Sequence, residues 1–140
     1  MNVSLFDTPG QERYKSIVET NYKKADSIIL LYDITRKSTL EECKDYYNNN
    51  IKERCKENVI IILIGNKNDL EERREVTTEE GYEFAKENGY AFVETSCLKN
   101  ENIYEALENP ILDTYVYKSK EIVNNDNQKK NKNGKACQII

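Results

Sequence analysis

Apolar residues fall along this chain in short β-branched runs separated by stretches of helical period. Val59 to Ile64 are six apolar residues in a row, closed by Gly65, the pattern of a strand buried on both faces. Ser27 to Tyr32 makes a second buried strand, ending in Asp33. Met1 to Phe6 and Ala91 to Glu94 supply two shorter ones. Between them, Leu40, Cys43, Tyr47, Ile51 and Cys55 recur at helical spacing, and Ser38 with Glu41 has the form of a capping box. Thr77 with Glu80 is a second such box, opening a helix through Phe84 and Ala85 that stops at Gly89. A last helix begins near Asn100, with Ile103, Ala106, Leu107 and Ile111 on one face. Pro110 lies inside that helix and should kink or interrupt it. Gln11 to Lys24 reads as irregular or weakly helical. Strand and helix alternate four times, which predicts an α/β fold with parallel strands.

With 140 residues the chain has the length of one domain with a real core. Its net charge is −4 and 33% of its residues are charged, a balance that argues against general nucleic-acid binding. The charge is uneven. From Lys118 to Ile140 there are six lysines against Glu121 and Asp126, a net +4, which leaves −8 on the body. This Asn- and Lys-rich tail of low complexity is expected to be disordered, so the domain is placed at 1–117 and the tail at 118–140. The four cysteines form no CxxC pair and there is no histidine, so neither zinc nor a disulfide framework is indicated. Scattered cysteines suit a reducing compartment. No apolar run approaches the length of a membrane span, and no secretory leader pattern opens the sequence.

Three polar clusters each follow a strand: Asp7 to Gln11, Asn66 to Asp69, and Thr95 to Cys97. In an open α/β sheet all three gather on one rim, where ligands bind. Asp69 there offers a carboxylate that can accept two N–H bonds from the edge of guanine, an edge adenine lacks. Asn66 both donates and accepts, tying the loop, while the stem of Lys67 can cover a flat ring. A polar turn after a strand is common, so this cluster alone decides nothing. Asp7 stands where carboxylates hold Mg²⁺ through water beside phosphates. Gly10 would let a backbone N–H approach a terminal phosphate, and Gln11 would orient a water for attack. A Pro-Gly turn with a capping Asp explains the same residues equally well. Ser96 braces a tight loop whose N–H groups can face a base carbonyl.

In order and spacing these clusters resemble the Ras superfamily of small GTPases, most closely its Rab branch. "DTPGQERYKSI" is similar to the Rab switch II segment and "ADSIILLYDIT" to the strand after it. "GNKNDL" and "ETSC" are similar to the two guanine-recognition motifs. The resemblance runs from Met1 to about Tyr117. It implies GTP or GDP with Mg²⁺ as cofactors, and guanine contacts from Asn66, Lys67 and Asp69 in a pocket closed by Ser96 and Cys97. It further implies Asp7 and Gly10 at the Mg²⁺ and terminal phosphate, with Gln11 as the catalytic residue. Arg13, Tyr14 and Ile17 would meet effector and regulatory proteins. Pro9 stands where Rabs usually have Ala, and Phe6 where Trp is common.

The large departure is that nothing here matches GxxxxGK[ST], the phosphate-binding loop. The expected fold is therefore an incomplete P-loop GTPase-type doubly wound sheet of four mostly parallel strands and about four helices. The family's first strand, helix, first switch region and second strand would precede Met1. Its first strand lies between those corresponding to Val3–Phe6 and Ser27–Tyr32, so a gap is expected there, closed by those strands pairing or left unstable. The expected function is a Rab-like switch in vesicle traffic, inactive or weakly binding as these 140 residues. The alternative is a membrane-anchored interaction module that holds no nucleotide tightly. Cys137-Gln138-Ile139-Ile140 fits the C-a-a-X lipidation motif behind Lys129, Lys130, Lys132 and Lys135. Prenylated Cys137 would place the protein on the cytoplasmic face of endomembranes or the plasma membrane, with a cytosolic pool.

Overall fold

The structure, a computed structural model, describes residues 2–7, 15–126 and 137–139. For 15–19, 121–126 and 137–139 it describes the backbone alone. The strands are β1 (Val3–Leu5), β2 (Ser27–Asp33), β3 (Ile60–Asn66), β4 (Ala91–Thr95) and β5 (Cys137–Ile139). The α-helices are α1 (Lys15–Lys24), α2 (Lys37–Tyr46), α3 (Thr78–Asn88) and α4 (Ile103–Asp126). One sheet holds all five strands in the order β1-β5-β2-β3-β4, every described pair parallel. The α/β class and the parallel strands match what the alternating pattern predicts, and the sheet covered on both faces matches what the resemblance implies.

β2 and β3 are in register over their full lengths, Ser27 opposite Ile60 through Asp33 opposite Asn66. The five consecutive residues Ile61 to Gly65 are all buried, as a continuous apolar run in mid-sheet requires. On one face, Ile28, Leu30 and Tyr32 pack with Leu40, Ile51 and Ala85. On the other, Ile62 and Ile64 pack with Ala106 of α4. The alternate positions of a strand point to opposite faces, so two strands suffice to seed both layers.

α3 is built as its sequence prescribes. Glu80 N donates to Thr77 Oγ1 at 3.1 Å, and Thr77 N donates to Glu80 Oε2 at 2.9 Å, completing the capping box. Gly89 closes the helix at φ 72°, in the left-handed region that disfavours a side chain. α2 differs: it starts at Lys37 after Arg36, with no side-chain cap, so Ser38 and Glu41 form no capping box. Thr39 Oγ1 instead donates to Arg36 O at 2.7 Å and accepts from Asp33 N at 3.0 Å, folding the first turn onto the end of β2. The apolar stripe continues past α2 through a five-residue π-helix, Tyr47–Ile51, which carries Ile51 into the core.

The C-terminal region departs most from the sequence reading. α4 is not interrupted at Pro110, which is fully buried. The carbonyl of Pro110 accepts from Thr114 Oγ1 at 2.7 Å and from Ser27 Oγ at 3.4 Å, tying the helix to the start of β2. Ala106, Pro110 and Thr114 are the buried positions, whereas Leu107 is exposed. The helix then crosses the boundary expected at Tyr117 and runs to Asp126. No Gly or Pro interrupts Lys118 to Asp126, and Lys118 Nζ reaches the buried Asp26 Oδ2 at 2.6 Å. Lys56 Nζ meets the other oxygen of Asp26 at 2.7 Å. β5 enters the gap between β1 and β2, so the expected pairing of β1 with β2 does not occur. The expected disordered tail thus contains nine helical residues and a strand, and the sheet has five strands rather than four.

Candidate functional site at the carboxyl rim of the sheet

The parallel register brings the ends of β2, β3 and β4 to one rim: Asp33 lies opposite Asn66, and Asn66 opposite Thr95. Beyond β3 the backbone turns at once. Lys67 takes φ 71°, a left-handed conformation costing a non-glycine residue about 1–2 kcal/mol. A 3₁₀ helix, Asn68–Arg73, follows. Strain of this kind persists where the surroundings fix it. Here they do. Lys67 Nζ donates to Asp33 Oδ2 at 2.5 Å, and Ile34 N donates to Asn66 O at 3.1 Å. Thr95 Oγ1 donates to Asn66 Oδ1 at 3.2 Å, and Cys97 Sγ lies 3.6 Å from the same oxygen.

The turn delivers Asp69 to the loop after β4. Ser96, fully buried, donates from Oγ to Asp69 Oδ1 at 2.5 Å. Its own loop is locked: Lys99 N donates to Ser96 Oγ at 3.0 Å, and Ser96 and Glu101 exchange backbone bonds of 3.2 and 2.9 Å. Asn100 and Asn102 hold φ 56° in this tight turn, where asparagine tolerates the left-handed region best. Asp69 Oδ2 receives no hydrogen bond among the described residues. A carboxylate has about four acceptor positions, so Ser96 aims Asp69 while leaving most of them open.

Asn66, Lys67, Asp69, Ser96 and Cys97 therefore come together on one rim. Asp7 is described and exposed, beyond the end of β1. Gly10, Gln11, Arg13 and Tyr14 lie outside the described residues, and of Ile17 only the backbone is described, within α1. Among the described residues no group of three His, Cys, Asp or Glu is placed to hold a metal ion. One exposed carboxylate such as Asp7 fits a water-mediated contact to a Mg²⁺ held mainly by phosphates and water, and not an all-protein site. Cys137 lies in β5. Burial pushes the Cys43 thiol up to about 11, so it is no nucleophile at neutral pH.

Asp33 and its partners were not singled out by sequence. Thr35 donates to Asp33 Oδ1 twice, from N at 2.9 Å and Oγ1 at 2.7 Å, while Lys67 holds Oδ2. Asp33 is the last residue of β2, and that placement was the available signal. A second brace was missed as well. Arg74 grips Glu94 with both guanidinium nitrogens, at 2.7 and 2.9 Å, tying the loop after β3 to β4. Both side chains are largely buried, so the fork geometry is held in place.

Burial works to raise the Asp33 pKa, but hydrogen bonds from Lys67 and Thr35 outweigh it and hold the carboxyl below its ordinary value. A carboxyl lowered on folding contributes stability above its unfolded pKa, about 4, and that contribution is lost as pH falls through the folded value. Asp33→Asn is expected to narrow the stability difference between about pH 7 and about pH 3 in urea unfolding. An unchanged difference would show that the Asp33–Lys67 pair contributes nothing.

Residues 1–115 match the Ras family. Ras-related protein RABA2a of Arabidopsis thaliana is 34% identical over 140 residues, which is all of this chain and 64% of that relative. The chain thus spans a little under two thirds of the relative's length. No helix among the described residues is long and apolar enough to cross a membrane.

Proposed function

The chain belongs to the Ras family, on its Rab branch, and from that premise we propose that its carboxyl rim is a guanine-binding site. The observation that carries this is the aimed carboxylate: Ser96 fixes Asp69 Oδ1, and Oδ2 is open to accept. Guanine presents a ring N–H and an amino group side by side, which one carboxylate satisfies together. Adenine presents no such pair, so it would leave the carboxylate desolvated and unpaired. The backbone N–H of Ser96 is spent on Glu101, which leaves the amides of Cys97 and Leu98 to meet the ring carbonyl. Lys67, tethered to Asp33 by its amine, offers its aliphatic stem as a wall for the ring. Asn66 holds β3 and the β4 loop at fixed separation.

The wider activity follows from the family. GTP or GDP with Mg²⁺ would be the ligands, with Asp7 and Gly10 on the phosphate side and Gln11 orienting water. A switch in vesicle traffic, read by effectors at Arg13, Tyr14 and Ile17, is the corresponding biological role. These 140 residues contain no GxxxxGK[ST], so they supply no backbone nest for the phosphates. We assign to this chain the base-recognition half of that activity. Lipidation at Cys137, with the basic stretch before it, would bring the chain to the cytoplasmic face of a membrane. A Rab-like interaction module without tight nucleotide binding is the second reading, favoured by that missing loop.

The base-site proposal is tested by Asp69→Asn. Replacing the carboxylate removes one acceptor and sets a donor against the guanine edge. Losing one charge-assisted bond and adding that mismatch costs about 3 kcal/mol, or roughly a hundredfold. Chemical-shift titrations with guanosine and adenosine are expected to show guanine preference in the native chain and none in the variant. Equal preference in both would remove Asp69 from the site.

A further inference from the structure

One arginine behind the carboxyl rim has all its donors in use. Arg74 follows the 3₁₀ helix Asn68–Arg73 that carries Asp69. Its Nη1 donates to Glu94 Oε1 at 2.7 Å and to Val76 O at 3.0 Å. Its Nη2 donates to Glu94 Oε2 at 2.9 Å and to Glu71 Oε2 at 2.7 Å. Nε meets both oxygens of Glu71 at 2.9 Å. A guanidinium carries its N–H donors in one rigid plane, and here every one of them has an acceptor. The two carboxylates differ in weight. Glu71 is 67% exposed, where an ion pair contributes little, whereas Glu94 and Arg74 are 14% and 12% exposed. Glu94 is held from two further sides. Thr78 Oγ1 donates to its Oε2 at 3.2 Å, and Asn102 Nδ2 donates to its carbonyl oxygen at 2.8 Å. Next along the chain stand Thr95, which donates to Asn66, and Ser96, which aims Asp69.

We propose that Arg74 and Glu94 are positioning residues of the base site, fixing the distance between the loop that carries Asp69 and the loop that carries Ser96. The role rests on the guanine reading above. Chain and contacts close a ring here. From Asp69 it runs through the 3₁₀ helix to Arg74, across to Glu94, along β4 to Ser96, and back to Asp69 through the 2.5 Å bond. With the pair in place, Asp69 Oδ2 keeps one direction in which to point. Without it, Asp69 is aimed from the Ser96 side alone, and its second oxygen loses that direction. Lysine cannot stand in for the arginine, because an ammonium lacks the planar fork that takes both oxygens of Glu94. The fold has other supports at this point. Val76 is fully buried, and Glu75 N and Val76 N donate to Ile34 O at 2.8 and 3.0 Å. Variants of the pair are therefore expected to fold with the aim of Asp69 disturbed.

Inosine is the discriminating ligand, since it keeps the ring N–H and the carbonyl of guanosine and lacks only the amino group. The ratio of guanosine to inosine affinity thus reads the second bond to Asp69. A loss of folded protein lowers both affinities equally and leaves the ratio unmoved. Chemical-shift titration of the 140-residue chain is expected to give a ratio of at least about tenfold, the effect of one charge-assisted bond. Arg74→Lys and Glu94→Gln are each expected to cut it to about twofold or less, although Asp69 is untouched. Lys37→Ala, which removes the exposed ion pair between α2 and α3, should keep the native ratio. Slow amide exchange in Ile60–Asn66 shows that each variant is folded. A ratio retained in both Arg74→Lys and Glu94→Gln overturns the positioning role and leaves the guanine reading standing. A ratio near one in the native chain overturns the guanine reading, and the positioning role with it. A ratio lost in Lys37→Ala as well would make the effect a general loosening of the domain, which also overturns the role.

Discussion

The 140-residue chain mixed with GTP and Mg²⁺ is expected to release no phosphate above the rate in buffer, and to bind GDP no tighter than micromolar. Phosphoryl transfer is catalysed almost wholly by positioning and by charge placed around the phosphates. A phosphate-binding loop supplies a nest of amides, a lysine and a hydroxyl for this purpose. Each charge-assisted bond of that kind contributes roughly 1.5–3 kcal/mol. Without three of them, affinity falls by roughly 5–9 kcal/mol, or about four to six orders of magnitude. Asp7 is one exposed carboxylate and offers no substitute. Single-turnover measurement of phosphate release checks the rate, and calorimetry checks the affinity. Turnover at the pace of small GTPases would mean that other residues of this chain cradle the phosphates.

Gly81→Ala is expected to destabilise the fold by about 2 kcal/mol, although alanine is the better helix former. In an open helix the exchange would gain about 1 kcal/mol. At this position the new Cβ would lie 2.3 Å from Tyr32 Oη and 2.8 Å from Phe92 Cε2. Tyr32 is buried in the core and cannot swing away, and overpacking of this kind costs about 1–3 kcal/mol or more. Gly65 closes on the same hydroxyl from β3, where a Cβ would lie 2.7 Å from Oη. The hydroxyl itself has no hydrogen-bond partner among the described residues. Tyr32→Phe is accordingly expected to leave stability unchanged or raise it by about 1 kcal/mol, since a buried unpaired polar group is costly. In that background the penalty of Gly81→Ala should shrink by about half, a coupling that a double-mutant cycle in urea detects. Additive effects would show that Phe92, and not Tyr32, sets the limit.

What sequence makes legible here are the features set by near neighbours in the chain. Thr77 and Glu80 cap α3 because the capping box spans one turn. Leu40, Cys43, Tyr47, Ile51 and Cys55 face the core because their period is helical. Asn66, Lys67, Asp69 and Ser96 meet because each follows a strand, and parallel strands end together. Features set by distant partners were opaque. That Lys67 answers to Asp33, or Arg74 to Glu94, depends on loop paths that no local pattern encodes. Pro110 sits inside α4 with its carbonyl engaged by Thr114 and by Ser27, the latter far away in the chain. Cys137 to Ile139 read as the end of a polar tail because nothing local announces a strand of three residues. Only the gap between β1 and β2 gives them a place.

On the proposed reading this chain grips a purine ring and not the phosphates attached to it. Calorimetric or chemical-shift titration with guanosine and with GDP, each with Mg²⁺, addresses it most directly. Dissociation constants for the two are expected to lie within about tenfold of each other, with no detectable binding of adenosine. GDP binding a thousandfold tighter than guanosine, or adenosine binding as well as guanosine, would contradict it.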